Sequence, residues 1–375
     1  MTKGGGVIML AAGGTGGHLF PAFALAEALG RRGRIVDLVT DMRGDRYGSG
    51  FPARQVHQVP SATASGRDPL TLAKTAATLA RGVAAAVKLL GDVKPAAVVG
   101  FGGYPTFPPL LAARMRSIPS LIHEQNAVLG RANRLLSKRV DVIATSFERT
   151  RFVDGPLLAK ARFTGNPVRD VVLRASGRPY RSPEPSGPVR LLVFGGSQGA
   201  RYFSETVPGA LATVPPLLRS RLEVVQQCRA EDLDAVRAAY AASGIRAELE
   251  TFFRDLPERL AESHLVIGRA GASSIAELTV IGRPSILVPL PHALDNDQLQ
   301  NASRLAESGG AWCIEQKDLS AERLGGEIAR LIASPELLSQ VAASAKAQGK
   351  PDAVERLADL VEELAAGRRE GRNAA

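Results

Sequence analysis

His18 stands directly behind two glycine pairs that bracket Thr15, in the stretch AAGGTGGHLFP (Ala11–Pro21). An imidazole is the side chain best suited to take up a proton near neutral pH. At the start of a helix it meets the positive end of the helix dipole, which disfavours imidazolium and leaves the ring able to accept. The glycines bare the backbone on both sides of Thr15, so a ligand can come close and meet free N–H groups. A tight strand-to-helix turn with a histidine packed against it is the plainer alternative. The doubling of the glycine pair argues for a binding loop. The run is not a dinucleotide fingerprint, because Leu19 stands where GxGxxG needs its last glycine, and no Gly-Lys-Ser/Thr follows to make a P-loop.

Two further glycine-rich stretches, GGSQGA (Gly195–Ala200) and GRAGASS (Gly268–Ser274), each open a helix pattern. Their N–H groups, with the hydroxyls of Ser197, Ser273 and Ser274, suit a diphosphate. Glu277 lies one turn into its helix, where a carboxylate either accepts two ribose hydroxyls or simply complements the helix dipole. Asp295-Asn296-Asp297 spells a DxD, a pattern that holds a divalent metal in some enzymes. Here it precedes a helix, so N-capping explains it better and no metal site is assigned. Gln298 and Asn301 share a helix face, and amides offer both the donors and the acceptors that sugar hydroxyls need. HEQN (His123–Asn126) places four polar residues at the end of a strand, which packing does not explain.

These residues need a scaffold, and the pattern supplies one. Val7–Ala12, Ile35–Thr40, Ala96–Phe101, Ser120–His123 and Val140–Thr145 read as strands. Helices over Pro21–Arg31, Leu70–Leu90, a segment ending near Arg116, and Gly130–Ser137 alternate with them. Apolar strands alternating with helices give a parallel sheet covered on both faces. TGNPVRD and GRPYRSPEPSGP then read as a linker, and the pattern restarts at Leu191–Phe194. The expectation is an α/β protein of two doubly wound, Rossmann-like domains facing a central cleft, with ligands at the carboxyl ends of both sheets. The first domain spans residues 1–165 and the second 166–350, and a final helix, 352–366, returns to the first. Residues beyond Gly367 are expected to fray.

The formal net charge of +10 is unevenly spread: residues 1–165 hold 22 Lys and Arg against 10 Asp and Glu, the remainder 25 against 27. A basic domain joined to a near-neutral one suggests that one half meets an anionic surface, nucleic acid or lipid headgroups. Lys74, Arg81 and Lys88 form a basic stripe on the Leu70–Leu90 helix, and Leu72, Leu79 and Ala86 a parallel apolar one. Arg114, Arg116, Lys138 and Arg139 extend the basic set. A core helix with a solvated basic face fits this stretch equally well; the charge imbalance tips the reading towards a membrane surface. No apolar run approaches the ~18 residues of a span, and Val7–Ala12 is too short for the core of a signal peptide. Cys228 and Cys313 lie far apart in sequence, which fits a reducing compartment rather than a disulfide framework.

GGTGGHLFP, GFGGYPTFPP, HEQNAVLGRAN, TGNPVR, GGSQGA, RAGASSIAEL and the Gln298–Asn301 region occur in that order, from about Val7 to about Ala311. Together they closely resemble the MurG family, the peptidoglycan N-acetylglucosaminyltransferases that turn lipid I into lipid II. The resemblance implies a GT-B glycosyltransferase without cofactor or metal, peripheral to the cytoplasmic face of the membrane. Its donor would be UDP-N-acetylglucosamine (UDP-GlcNAc). Its acceptor would be undecaprenyl-diphosphate-linked N-acetylmuramoyl-pentapeptide, joined in a β-1,4 linkage with inversion; no nucleic acid takes part. Carried over by position, Thr15, Gly16, Gly17 and Asn126 contact the donor, and Arg169 and Ser197 lie near the diphosphate. Phe253 flanks the uracil through its backbone, because a Phe-Phe pair stands here where Phe-Ile is also familiar. Ala272, Ser273, Ser274, Ile275, Ala276 and Glu277 carry phosphate and ribose, Gln298 meets the sugar hydroxyls, and His18 matches the proposed base. The rival readings are a transferase for another lipid such as diacylglycerol, an NAD-dependent oxidoreductase, and a non-catalytic membrane or nucleic-acid adaptor.

Overall fold

A computed structural model of the chain describes residues 6–13, 16–41, 50–62 and 68–373, with backbone alone at 197–200, 294 and 368–373. The chain divides into two compact units, Met1–Arg169 with Pro351–Ala375, and Asp170–Lys350.

The sheet of the first unit contains β1 (Ile8–Ala11), β2 (Val36–Thr40), β3 (Gln55–Gln58), β4 (Ala97–Gly100), β5 (Ser120–Glu124), β6 (Val142–Thr145) and β7 (Ala161–Phe163). Their order is β3-β2-β1-β4-β5-β6-β7, with every pairing parallel. β1 is central: Ile8 pairs with Val36 on one side and Ala97 on the other. Side chains alternate across the strand. Ile8 and Leu10 enter a core with Leu19, Leu25 and Leu29 of α1 (Gly16–Arg31), whereas Met9 and Ala11 enter one with Ala86, Leu90 and Leu110. Ala86 and Leu90 belong to α2 (Pro69–Val93), and Leu110 to α3 (Phe107–Met115). Asp68 caps α2, accepting from Thr71 N at 2.8 Å. The next helix, α4, is Arg131–Ser137.

The second unit repeats the plan with β8 (Val189–Phe194), β9 (Leu222–Gln227), β10 (Arg246–Glu250), β11 (Leu265–Gly268), β12 (Ser285–Leu287) and β13 (Trp312–Cys313). The order is β10-β9-β8-β11-β12-β13, again parallel. Arg283, only 1% exposed, donates to the carbonyls of Leu260, Ala261, Ile281, Gly282 and Arg178 and so ties helix ends to the segment that enters the unit.

The terminal helix, Ala353–Asn373, adds Val354, Leu357, Ala358 and Val361 to the core of the first unit. It also brings Asp359 and Glu362 to Arg32 at 2.7 and 2.9 Å. Its backbone stays helical past Gly367, where fraying was expected. The first helix begins at Gly16 rather than Pro21, so Gly16, Gly17 and His18 form its first turn. Glycine is tolerated there because the first N–H groups of a helix lack internal partners anyway. In each sheet the chain reverses its direction of build between two strands, β1 and β4 or β8 and β11. That switch point is where open α/β sheets bind ligands.

Candidate active site

At the first switch point, the turn after β1 delivers His18, and the loop after β4 delivers Gly102 and Gly103. Both glycines adopt positive φ, 89° and 75°. A Cβ on Gly102 would lie 3.2 Å from His18 Cε1, and one on Gly103 would lie 3.3 Å from Cδ2. Bare peptide units therefore seat the imidazole, and glycine serves both the backbone conformation and the approach. His18 Nδ1 lies 3.1 Å from Gln125 Oε1.

Gln125 belongs to HEQN, whose four polar residues divide the work. His123 is fully buried; its Nε2 lies 3.0 Å from Gly165 O, and burial pushes its pKa down to about 4. The Gln125 amide nitrogen lies 3.0 Å from His123 Nδ1 and donates to His123 O at 2.9 Å. Glu124, also buried, accepts from Gly130 N and Asn133 Nδ2 at 2.8 Å each. It further accepts from Asn126 N at 3.0 Å and Asn126 Nδ2 at 3.2 Å. One carboxylate thus folds the loop from 124 to 133 and orients Asn126.

Arg169 closes the other side of this turn. Its guanidinium stacks 4.3 Å above the Phe20 ring, and that ring covers Gly16, where a Cβ would meet Phe20 Cε2 at 3.0 Å. Arg169 therefore sits within the first unit, at the Gly16–Gly17 turn. Thr15 lies outside the described residues, as does the side chain of Ser197.

At the second switch point, β8 leads into the helix Gly196–Ala212, and β11 leads into the helix Ala272–Ile281. Gly196 has φ 65°, and among the described residues no side chain caps either helix start. Their first N–H groups suit an anion. Ser273 and Ser274 are half-buried at this turn, whereas Ala272, Ile275, Ala276 and Glu277 are buried.

Gln298, at the start of the helix Asp297–Glu307, accepts from Leu290 N at 3.0 Å through Oε1. Asn301, one turn on, is fully buried and donates to Ala270 O at 3.1 Å, so its amide shapes the Gly271 loop. The DxD does not cap through Asn296, which adopts φ 55°; Asp297 accepts from Gln298 N instead. Among the described residues no group of His, Cys, Asp and Glu is arranged to hold a metal ion.

Phe253 is buried beneath Arg259, at 4.8 Å, whereas Phe252 is 59% exposed. Of the two rings, that of Phe252 is exposed and that of Phe253 is covered. The residue types alone cannot order such a pair, because a loop has no periodicity. Sequence reasoning also missed Gly102, Gly103 and Gln125 as neighbours of His18. The only signals were the GFGGYP and HEQN runs themselves.

The family model described as the glycosyltransferase family 28 N-terminal domain matches residues 8–145, and the family 28 C-terminal domain matches residues 190–357. A protein of Chelativorans sp. (strain BNC1) is 53% identical over 363 residues, covering 97% of this chain and 96% of its own. One of Rhodopseudomonas palustris (strain BisB18) is 55% identical over 359 residues, 96% of each. Both are named UDP-N-acetylglucosamine--N-acetylmuramyl-(pentapeptide) pyrophosphoryl-undecaprenol N-acetylglucosamine transferase. Among solved structures, Acinetobacter baumannii MurG superposes with a TM-score of 0.77 at 29% identity, covering 96% of this chain and 99% of that one. The calicheamicin glycosyltransferase CalG4, at 17% identity and TM-score 0.64, covers 96% of this chain and 98% of its own and shares the fold.

Proposed function

The chain belongs to glycosyltransferase family 28, and from that premise we propose that it moves N-acetylglucosamine from UDP-GlcNAc to N-acetylmuramyl-(pentapeptide) pyrophosphoryl-undecaprenol. The observation that carries the reading is the seating of His18 at the first switch point, between bare glycine peptides and Gln125. Relatives more than 50% identical over nearly the whole chain supply the substrates by their names.

The acceptor 4-hydroxyl attacks the anomeric carbon of the sugar. The new C–O bond forms as the bond to the diphosphate breaks, UDP leaves with the electron pair, and His18 takes the hydroxyl proton. A single displacement inverts the anomeric centre and gives a β-1,4 linkage without an enzyme nucleophile. The charge on UDP is met by the two helix starts of the second unit, with Ser197, Ala272, Ser273 and Ser274, and by Arg169. Ile275, Ala276 and Glu277 shape the ribose side, Phe253 the uracil side, and Gln298 meets the sugar hydroxyls, held by the loop that Asn301 fixes. Thr15, Gly16, Gly17 and Asn126 complete the donor contacts. No metal or cofactor enters this scheme.

The enzyme works on the cytoplasmic face of the membrane as a peripheral protein, and nucleic acid has no part. Among the described residues no helix is long and apolar enough to cross a membrane. Lys74, Arg81 and Lys88 are exposed along α2, and Leu70, Leu72, Met115 and Leu158 are exposed on the same unit. The parallel apolar stripe does not stay at the surface: Leu72 is exposed, Leu79 half-buried and Ala86 buried. Insertion therefore falls to the start of α2 and to Met115, not to the whole helix.

The test of the base is His18→Ala. Donor binding is retained and turnover falls by about 100-fold or more. Unchanged turnover removes His18 from this role.

A further inference from the structure

The hydrogen bonds behind His18 admit one consistent set of proton positions, and we infer from them that Gln125 and His123 hold His18 in the tautomer whose basic nitrogen is Nε2. This inference rests on the reading of His18 as the base and says which atom of it acts.

Gly165 O can only accept, so His123 Nε2, 3.0 Å away, carries a proton. Burial keeps the His123 ring neutral around pH 7, which leaves a lone pair on Nδ1. The Gln125 side chain faces that lone pair at 3.0 Å and His123 O at 2.9 Å. Both are acceptors, so the amide nitrogen must point at them; two contacts, not one, fix the amide against a flip. Gln125 Oε1 is then the atom 3.1 Å from His18 Nδ1, and a carbonyl oxygen requires a proton there. With Nδ1 protonated, the neutral ring carries its lone pair on Nε2, which has no hydrogen-bond partner among the described residues.

The device matters because free histidine favours the opposite tautomer, with its proton on Nε2. A ring left to that preference would offer the acceptor hydroxyl an N–H where a base is needed. The peptides of Gly102 and Gly103 pack against the ring and resist its rotation. An amide also differs from the carboxylate often found behind a catalytic histidine: it adds no charge. Gln125 therefore sets the tautomer through an uncharged oxygen. During transfer the hydroxyl proton moves to Nε2, and Nδ1–H stays on Gln125 Oε1. His123 and Gln125 are positioning residues; neither needs to touch substrate.

The experiment is two-bond nitrogen–proton NMR on the full chain labelled with 15N at its histidines, at neutral pH, with the His18 signals assigned by their loss in His18→Ala. The expected result is a protonated Nδ1 and a bare Nε2 at His18. Gln125→Leu moves the proton to Nε2 and lowers kcat at least about tenfold, with UDP affinity unchanged. Gln125→Glu, which keeps an acceptor at Nδ1, restores the Nδ1–H form. A wild-type His18 with its proton on Nε2 overturns the inference, whatever the variants do. So does an unchanged tautomer in Gln125→Leu. If the tautomer is as inferred but His18→Ala turns over normally, the relay stands and the assignment of His18 as base fails.

Discussion

Gly102 lies so close to His18 that the smallest side chain would touch the imidazole, 3.2 Å from Cε1. The ring is positioned by an absence: two successive residues without side chains, on a backbone that turns with positive φ. Gly102→Ala therefore carries two costs. The left-handed backbone strains the fold by about 1–2 kcal/mol. The displaced ring lowers kcat by about tenfold to 100-fold. Thermal melting and steady-state kinetics separate the two. A variant that loses stability but keeps full kcat contradicts the seating of His18 by this loop.

His123 makes the fold sensitive to acid. Its ordinary pKa of 6.5 in the unfolded chain falls to about 4 in the fold, because burial disfavours the charged ring. Between these values the unfolded chain binds a proton that the folded chain refuses. The fold is thus unpenalised above pH 6.5 and loses stability as the pH falls towards 4, by about 3 kcal/mol in all. His123→Gln removes this contribution. Because burial also lowers the pKa of His264, the effect is read as the difference between urea midpoints of the two proteins across this range. Parallel curves contradict it.

The exposed cations of α2 give a prediction about location. Reversing Lys74, Arg81 and Lys88 to Glu weakens binding to vesicles containing anionic lipid by about tenfold or more, since each charge near such a surface contributes about 1 kcal/mol. Sedimentation with vesicles at low and moderate salt checks this. Equal binding by the triple variant makes the stripe a solvated helix face.

Much of the scaffold was legible because buried parallel strands are short apolar runs, and Ile8–Ala11, Ala97–Gly100 and Leu265–Gly268 all are. The edge strands of the first sheet were not: β3 reads QVHQ and β7 reads ARF, too short and too polar to stand out. The helices Ala321–Ile332 and Pro335–Gln348 carry no glycine-rich loop or polar strand end that announces them. At the site, glycine runs and HEQN announced where chemistry would gather, because such residues at strand ends serve no core. Their division of labour was hidden. Gln298 and Asn301 share a helix face, yet that face straddles the edge of the core, so one keeps an amide hydrogen-bonded to Leu290 while the other is wholly buried. Arg169 lies far from Phe20 in sequence, and nothing local to either stretch marks the stacking of its guanidinium on that ring.

Transfer of N-acetylglucosamine to a lipid-diphosphate-linked muramyl acceptor is the activity proposed for this chain. The most direct measurement is UDP release from UDP-GlcNAc with and without a short-chain analogue of that acceptor, with diacylglycerol as the control lipid. The account predicts release that depends on the muramyl acceptor, is absent with diacylglycerol, and yields a product heavier by one N-acetylglucosamine residue. UDP binding without acceptor-dependent release would contradict it.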